Sequence, residues 1–150
     1  MTGKISQVEG RALFGLAPVD YDAVRPAYPD WVYDAISATG VLAPGARVLE
    51  IGPGTGQATR ALRRYDPGML MLVEPDARFA PQLNALMSDA PHLWELVHSS
   101  FESVVPARPF DLVVAATSFH WVDRATACQK LYALLRPGGV GALFWNVFQV

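Results

Sequence analysis

Five short apolar runs punctuate the chain: Arg47-Val48-Leu49-Glu50-Ile51, Met69-Leu70-Met71-Leu72-Val73-Glu74, Leu93-Trp94-Glu95-Leu96-Val97, Asp111-Leu112-Val113-Val114-Ala115 and Val140-Gly141-Ala142-Leu143-Phe144-Trp145. Apolar residues stand at consecutive rather than alternate positions, as suits strands of a parallel sheet covered on both faces. Between the runs the spacing turns helical. Ala58, Ala61, Leu62 and Tyr65 recur at i, i+3, i+4 and i+7, predicting a helix that starts near Gly56. Arg60, Arg63 and Arg64 lie off that stripe, and the last two complement the negative end of the helix. A helix from about Asp76 to Met87 presents Phe79, Leu83, Leu86 and Met87. Another begins at Asp123 as N-cap, carries Ala127, Leu131, Leu134 and Leu135, and is ended by Arg136-Pro137-Gly138-Gly139. Ahead of the first run, Pro29 to Thr39 reads as a helix with Pro29 at its first position and Gly40 at its C-terminal cap.

Strand and helix alternating in this way specify an α/β, doubly wound, mostly parallel sheet with right-handed crossovers and helices on both faces. The expected strand order is 3-2-1-4-5. Ligands in such sheets sit beyond the carboxyl ends of the strands, at the point where the winding reverses. The loops after Ile51, Glu74, Val97 and Ala115 are therefore expected to line one crevice.

Composition narrows the classes of partner. With 150 residues, 51% apolar and 17% charged, and a formal net charge of −2, the chain suits one domain, 1–150, and lacks the basic footprint that nucleic acid requires. The single cysteine, Cys128, excludes an internal disulfide and suits a reducing cytoplasm. Met1-Thr2-Gly3-Lys4 is not followed by an apolar h-region, and the apolar stretch from Val140 to Val150 is short of a bilayer span. A cytoplasmic protein without membrane contact is expected.

The chemistry concentrates in Glu50-Ile51-Gly52-Pro53-Gly54-Thr55-Gly56-Gln57. A dinucleotide fingerprint reads G-x-G-x-x-G, and here Gln57 stands where its third glycine falls. Pro53 stiffens the turn, while Gly52, Gly54 and Gly56 leave an open backbone wall. Glu50 would repel a pyrophosphate but could accept hydrogen bonds from an ammonium group. Glu74, ending the second strand, could accept from both hydroxyls of a ribose. Glu74 alone fits NAD equally well; Glu50 with Glu74 favours a cofactor carrying an amine and an unphosphorylated ribose.

The run Val48-Leu49-Glu50-Ile51-Gly52-Pro53-Gly54-Thr55-Gly56 resembles the first motif of class I S-adenosylmethionine-dependent methyltransferases. Val73-Glu74-Pro75-Asp76 is similar to the second motif, and Leu134-Leu135-Arg136-Pro137-Gly138-Gly139 to the approach to the fifth strand. Tyr21-Asp22-Ala23-Val24-Arg25-Pro26-Ala27-Tyr28-Pro29 and Ser118-Phe119-His120-Trp121 resemble a small-molecule branch that includes type 11 and trans-aconitate methyltransferases. The resemblance implies a cap segment and helix at 1–40 and a Rossmann-like core at 47–150. It implies S-adenosylmethionine as cofactor, packed against Gly52, Pro53, Gly54, Thr55 and Gly56, with Glu74 on the ribose and Pro75 and Asp76 bordering the adenine. Ser100-Phe101-Glu102 stands where many relatives carry Asp-Ala-Glu, so Ser100 replaces an acceptor for the adenine amine and the Phe101 N–H faces the ring. Thr117 and Ser118 would line the sulfonium end, with Tyr21 and Arg25 reaching the cofactor from the opening segment.

Methyl transfer from a sulfonium is an in-line displacement that needs positioning and no metal. His120 is the candidate base for an acceptor that must lose a proton, with a loop-orienting role beside Trp121 as its equal alternative. Tyr28, Phe119 and Trp121 are candidates for an acceptor pocket, and Arg25 for pairing with a carboxylate of cofactor or substrate. The leading expectation is methyl transfer to a small molecule. A non-catalytic or partner-dependent cofactor-binding protein is the alternative, and an NAD-dependent oxidoreductase is disfavoured by Gln57 and Glu50. Relatives of this fold continue into a sixth and seventh strand that the sequence lacks, which predicts an apolar edge at Val140 to Phe148 and either a C-terminally truncated form of a longer methyltransferase or self-association through that edge.

Overall fold

The computed structural model describes residues 26–147 and turns every one of the five apolar runs into a strand. In chain order they are β1 (Arg47–Ile51), β2 (Met69–Val73), β3 (Trp94–Val97), β4 (Phe110–Ala116) and β5 (Leu135–Phe144). All four pairings are parallel and the order is β3-β2-β1-β4-β5, as expected. Helices α1 (Asp30–Ala38), α2 (Gln57–Arg63), α3 (Ala80–Leu86, entered through a 3₁₀ turn at Ala77–Phe79) and α4 (Arg124–Leu134) connect or flank them.

Period-two alternation inside each strand sends its side chains into two separate cores. Val48, Leu70, Leu72, Leu112 and Val114 pack with Tyr33 and Ile36 of α1, Leu62 of α2 and Leu83 of α3. Leu49, Ile51, Met71, Val73, Val113 and Ala115 pack on the other face with Phe101, Ala127 and Leu134. Burial on both sides is why the runs of β1, β2 and β4 carry no polar alternation, whereas the outer strands β3 and β5 are only partly buried.

The capping signals hold with small shifts. Asp123 is the N-cap of α4, its carboxylate accepting from the Thr126 hydroxyl at 3.0 Å. Pro29 is itself the N-cap of α1, one position earlier than expected, because its extended ψ of 144° lies outside the helix. Gly40 follows α1 at φ +84°. Arg63 and Arg64 serve neighbouring helices rather than their own helix end: Arg63 donates to the Leu86 carbonyl and pairs with Asp89 at 2.7 Å, while Arg64 pairs with Asp30 at 2.7 Å.

Arg136-Pro137-Gly138-Gly139 does not form a turn separate from the strand. Helix α4 stops at Leu134 and β5 begins at once, with its register broken opposite Phe110 and Leu112. The irregularity takes up the change of direction that a longer loop would otherwise provide. β5 is an edge of the sheet among the described residues, with Trp145 and Val147 exposed just past its end. No helix of the described residues is long and apolar enough to cross a membrane.

Candidate functional site

The carboxyl ends of β1, β2 and β4 open onto one cleft, at the place where the chain reverses its winding between β1 and β4. Gly52 starts the loop after β1 with its N–H donated to the Val73 carbonyl at 2.9 Å and φ at +62°. A Cβ there would stand 2.8 Å from Cβ of Ser118, whose hydroxyl donates to the Ile51 carbonyl. Gly52 is thus held to glycine by conformation and by close approach. Gly52→Ala is expected to lower the melting temperature by several degrees, from about 1–3 kcal/mol of strain and overlap. Thermal unfolding checks it, and an unchanged transition would show that the loop relaxes freely.

Glu74 is 5% exposed, and its two oxygens divide their work. Oε2 accepts the Gly54 N–H at 3.0 Å, and Oε1 accepts the Asp76 N–H at 2.9 Å. One carboxylate therefore ties the loop after β1 to the loop after β2. Asp76 caps the following 3₁₀ turn and is clamped by Arg78 at 2.7 Å, which holds its carboxyl below the usual range.

Glu50, the acidic residue in front of the glycine loop, is 1% exposed and lines the cleft floor. Burial pushes its carboxyl up to about 7, against the lowering effect of the Thr59 hydroxyl that donates to Oε2 at 2.6 Å; the nearby Glu74 charge adds to the rise. The Tyr33 phenol is raised too, by burial first and by Glu50 second.

After β4 the backbone enters a left-handed conformation at Thr117, φ +55°, unusual for a β-branched residue and costing about 1–3 kcal/mol. Its N–H is held by the Phe144 carbonyl at 2.8 Å, and its hydroxyl is hydrogen-bonded to the Tyr28 hydroxyl.

The expected site residues Glu50, Gly52, Pro53, Gly54, Thr55, Glu74, Pro75, Ser100, Phe101, Thr117 and Ser118 all line this cleft. Gly56 does not: it is the left-handed N-cap of α2, and a Cβ there would meet Leu86 of α3 at 2.6 Å. Its glycine serves helix packing. Tyr21 and Arg25 lie outside the described residues. Ser100 shares a hydrogen bond with the Ser103 hydroxyl at 3.1 Å.

His120 is absent from the cleft lining and receives the Trp145 indole N–H on Nδ1 at 3.3 Å. An indole nitrogen only donates, so neutral His120 carries its proton on Nε2. Sequence reasoning did not single out Phe79, Val122 and Glu102 for this cleft, and their residue types carry no signal that separates wall from core.

The charge pattern decides what fits. Glu50, Glu74, Asp76 and Glu102 face the cleft, and no Lys, Arg or His stands among the described residues lining it. Among the described residues a pyrophosphate would find four carboxyl groups and no cation, whereas a sulfonium, an ammonium and ribose hydroxyls would find acceptors. Among the described residues no group of His, Cys, Asp and Glu could hold a metal ion.

Comparison with known proteins agrees with this chemistry. The pattern of the methyltransferase domain family matches residues 49–143. An uncharacterized methyltransferase of Mycobacterium tuberculosis is 33% identical over 138 residues, covering 89% of this chain and 51% of the relative. A malonyl-[acyl-carrier protein] O-methyltransferase of Magnetococcus marinus is 34% identical over 96 residues, covering 63% of this chain and 36% of its own. The chain thus spans about half the length, or less, of the relatives it matches. A SAM-dependent methyltransferase of Thiobacillus denitrificans, solved with S-adenosyl-L-homocysteine, shares the fold with a TM-score of 0.64 at 20% identity, over 79% of this chain and 49% of that one. Fold, glycine loop and family pattern converge, and the chain belongs to the methyltransferase domain family.

Proposed function

We propose that this protein binds S-adenosylmethionine in the cleft and transfers its methyl group to a small, carboxylate-bearing acceptor. The observation that carries the reading is that the described residues lining the cleft include four carboxyl groups and no Lys, Arg or His, built on a glycine-walled loop. When bound, the cofactor supplies an electrophilic methyl carbon on a positive sulfur. Glu74 holds the ribose hydroxyls with the same carboxylate that accepts the Gly54 and Asp76 N–H groups. Glu50 faces the positive end, and the Phe101 N–H and the Pro75-Asp76 turn border the base. Tyr21 and Arg25 are assigned to the cofactor by the motif they stand in.

A carboxylate acceptor is favoured because it needs no base. His120, the candidate base, has Nδ1 engaged by Trp145, so taking a proton there requires that contact to open. The Magnetococcus marinus relative is named for O-methylation of a malonyl group on an acyl-carrier protein, which supports a carboxylate as the methylated group but not the size of the acceptor. The net charge of −2 argues against nucleic acid as acceptor.

Calorimetric titration should show binding of S-adenosylhomocysteine and none of NADH. Radiolabelled methyl transfer should then mark small acids in a metabolite extract. Label found only in nucleic acid or protein would overturn the acceptor class; binding of NADH alone would overturn the cofactor.

A further inference from the structure

The described chain opens with residues 26–29, an irregular stretch that crosses to the β4–β5 side of the cleft and is fastened there at three points. The Asn146 amide donates to the Pro26 carbonyl at 2.9 Å. The Tyr28 ring meets Phe144 edge-to-face, centroids 4.9 Å apart and planes at 84°. The Tyr28 hydroxyl is bonded to that of Thr117, and both residues line the cleft. Three unlike contacts on a segment without secondary structure fix one side chain, Tyr28, over one end of the site.

That end can be located against Glu74. Thr117 follows β4 and Glu74 follows β2, with β1 between them. Two strand spacings separate the two residues, roughly 9–10 Å across the sheet. With the ribose on Glu74, as proposed above, the Tyr28–Thr117 pair stands beyond the ribose on the side of Glu50, where the sulfur of the cofactor belongs. The inference rests on that reading.

We propose that the Tyr28–Thr117 hydroxyl pair discriminates the charged cofactor from its neutral product. The two oxygens are joined by a hydrogen bond, and each carries a partial negative charge. A sulfonium or other cation is attracted to those oxygens, strongly in a site screened from water, while the neutral thioether left after transfer is not. The left-handed backbone of Thr117, held by the Phe144 carbonyl, fixes the direction of its hydroxyl. Attraction to the charged form and indifference to the neutral one would retain S-adenosylmethionine and release S-adenosylhomocysteine. No covalent step is assigned to either residue.

The test is calorimetry on the whole chain with three probes: S-adenosylmethionine, S-adenosylhomocysteine, and sinefungin, which carries an amine at the position of the transferable methyl. Tyr28→Phe keeps the ring on Phe144 and removes the hydroxyl. It is expected to weaken both cationic probes by about fivefold or more, and S-adenosylhomocysteine by less than about twofold. Thr117→Val removes the other hydroxyl at constant shape and should shift the same ratio, which guards against a folding defect in either variant alone. A wall with no charge preference would weaken all three probes equally, and that result, or no change in any, overturns the inference. Failure of the parent protein to bind any of the three would instead overturn the cofactor reading beneath it.

Discussion

Glu50→Gln is expected to unfold at higher denaturant concentration than the parent at pH 8.5, with the difference reduced to about a quarter at pH 5. The sign follows from the direction of the shift. The folded-state carboxyl titrates at about 7, above its ordinary 4.5, because burial penalises the anion. Between those values the native state binds more protons than the unfolded state, so stability falls as pH rises through that window. Below about 4.5 the penalty is absent; above about 7 it is complete. A rise of this size corresponds to about 3 kcal/mol, one of the largest single-residue effects available in this fold. Gln keeps an acceptor for the Thr59 hydroxyl and carries no charge to desolvate. Denaturant titrations across pH 5 to 8.5 measure the difference. Parallel pH profiles for the two proteins would show that Glu50 is solvated in solution and not buried as described. The cost has a functional counterpart: a carboxylate kept in an apolar floor is a strong partner for a cation, so Glu50→Gln should bind S-adenosylmethionine more weakly at the pH where it is more stable.

This opposition between stability and function explains what could be read from the sequence. The central strands β1, β2 and β4 were legible because their hydrophobic runs are continuous, as double-sided burial requires; β1 and β2 begin where the pattern places them. The glycine loop was legible because Gly52 and Gly54 with Glu50 and Glu74 break ordinary composition at a strand end. Other features depend on partners distant in sequence. That Gly56 serves helix packing is visible only once Leu86 stands 2.6 Å from its missing Cβ. That Arg63 and Arg64 clasp α3 and α1 rather than their own helix end depends on Asp89 and Asp30, 26 and 34 positions away. The Tyr28–Thr117 bond spans 89 positions, and nothing local to either residue announces it. The Arg136-Pro137-Gly138-Gly139 stretch shows the reverse problem. It carries the usual signals of a turn, yet pairing with β4 overrides them and draws it into β5.

Glu74→Ala is expected to lower affinity for S-adenosylhomocysteine at least tenfold while leaving a folded protein of reduced stability. Both losses trace to the same two oxygens. Each accepts one backbone N–H, from Gly54 at 3.0 Å and from Asp76 at 2.9 Å, and in the proposed complex each also accepts from a ribose hydroxyl. Hydrogen bonds to a charged acceptor are worth about 1.5–3 kcal/mol apiece before water replaces part of them. Losing one ribose bond outright already exceeds the 1.4 kcal/mol that a tenfold change requires. Glu74→Gln separates the loop-tying role from the ligand-holding role. Its amide offers one acceptor and one donor, so one of the two loop ties must give way, while the opposite end can still accept. If Glu74 acts only by tying the loops, Gln and Ala should lose affinity in proportion to the stability each loses. If it also holds the ribose, Ala should lose far more affinity than its stability predicts. Melting curves paired with calorimetry on both variants decide between them. A folded Glu74→Ala protein with parental affinity would remove this residue from the cofactor site.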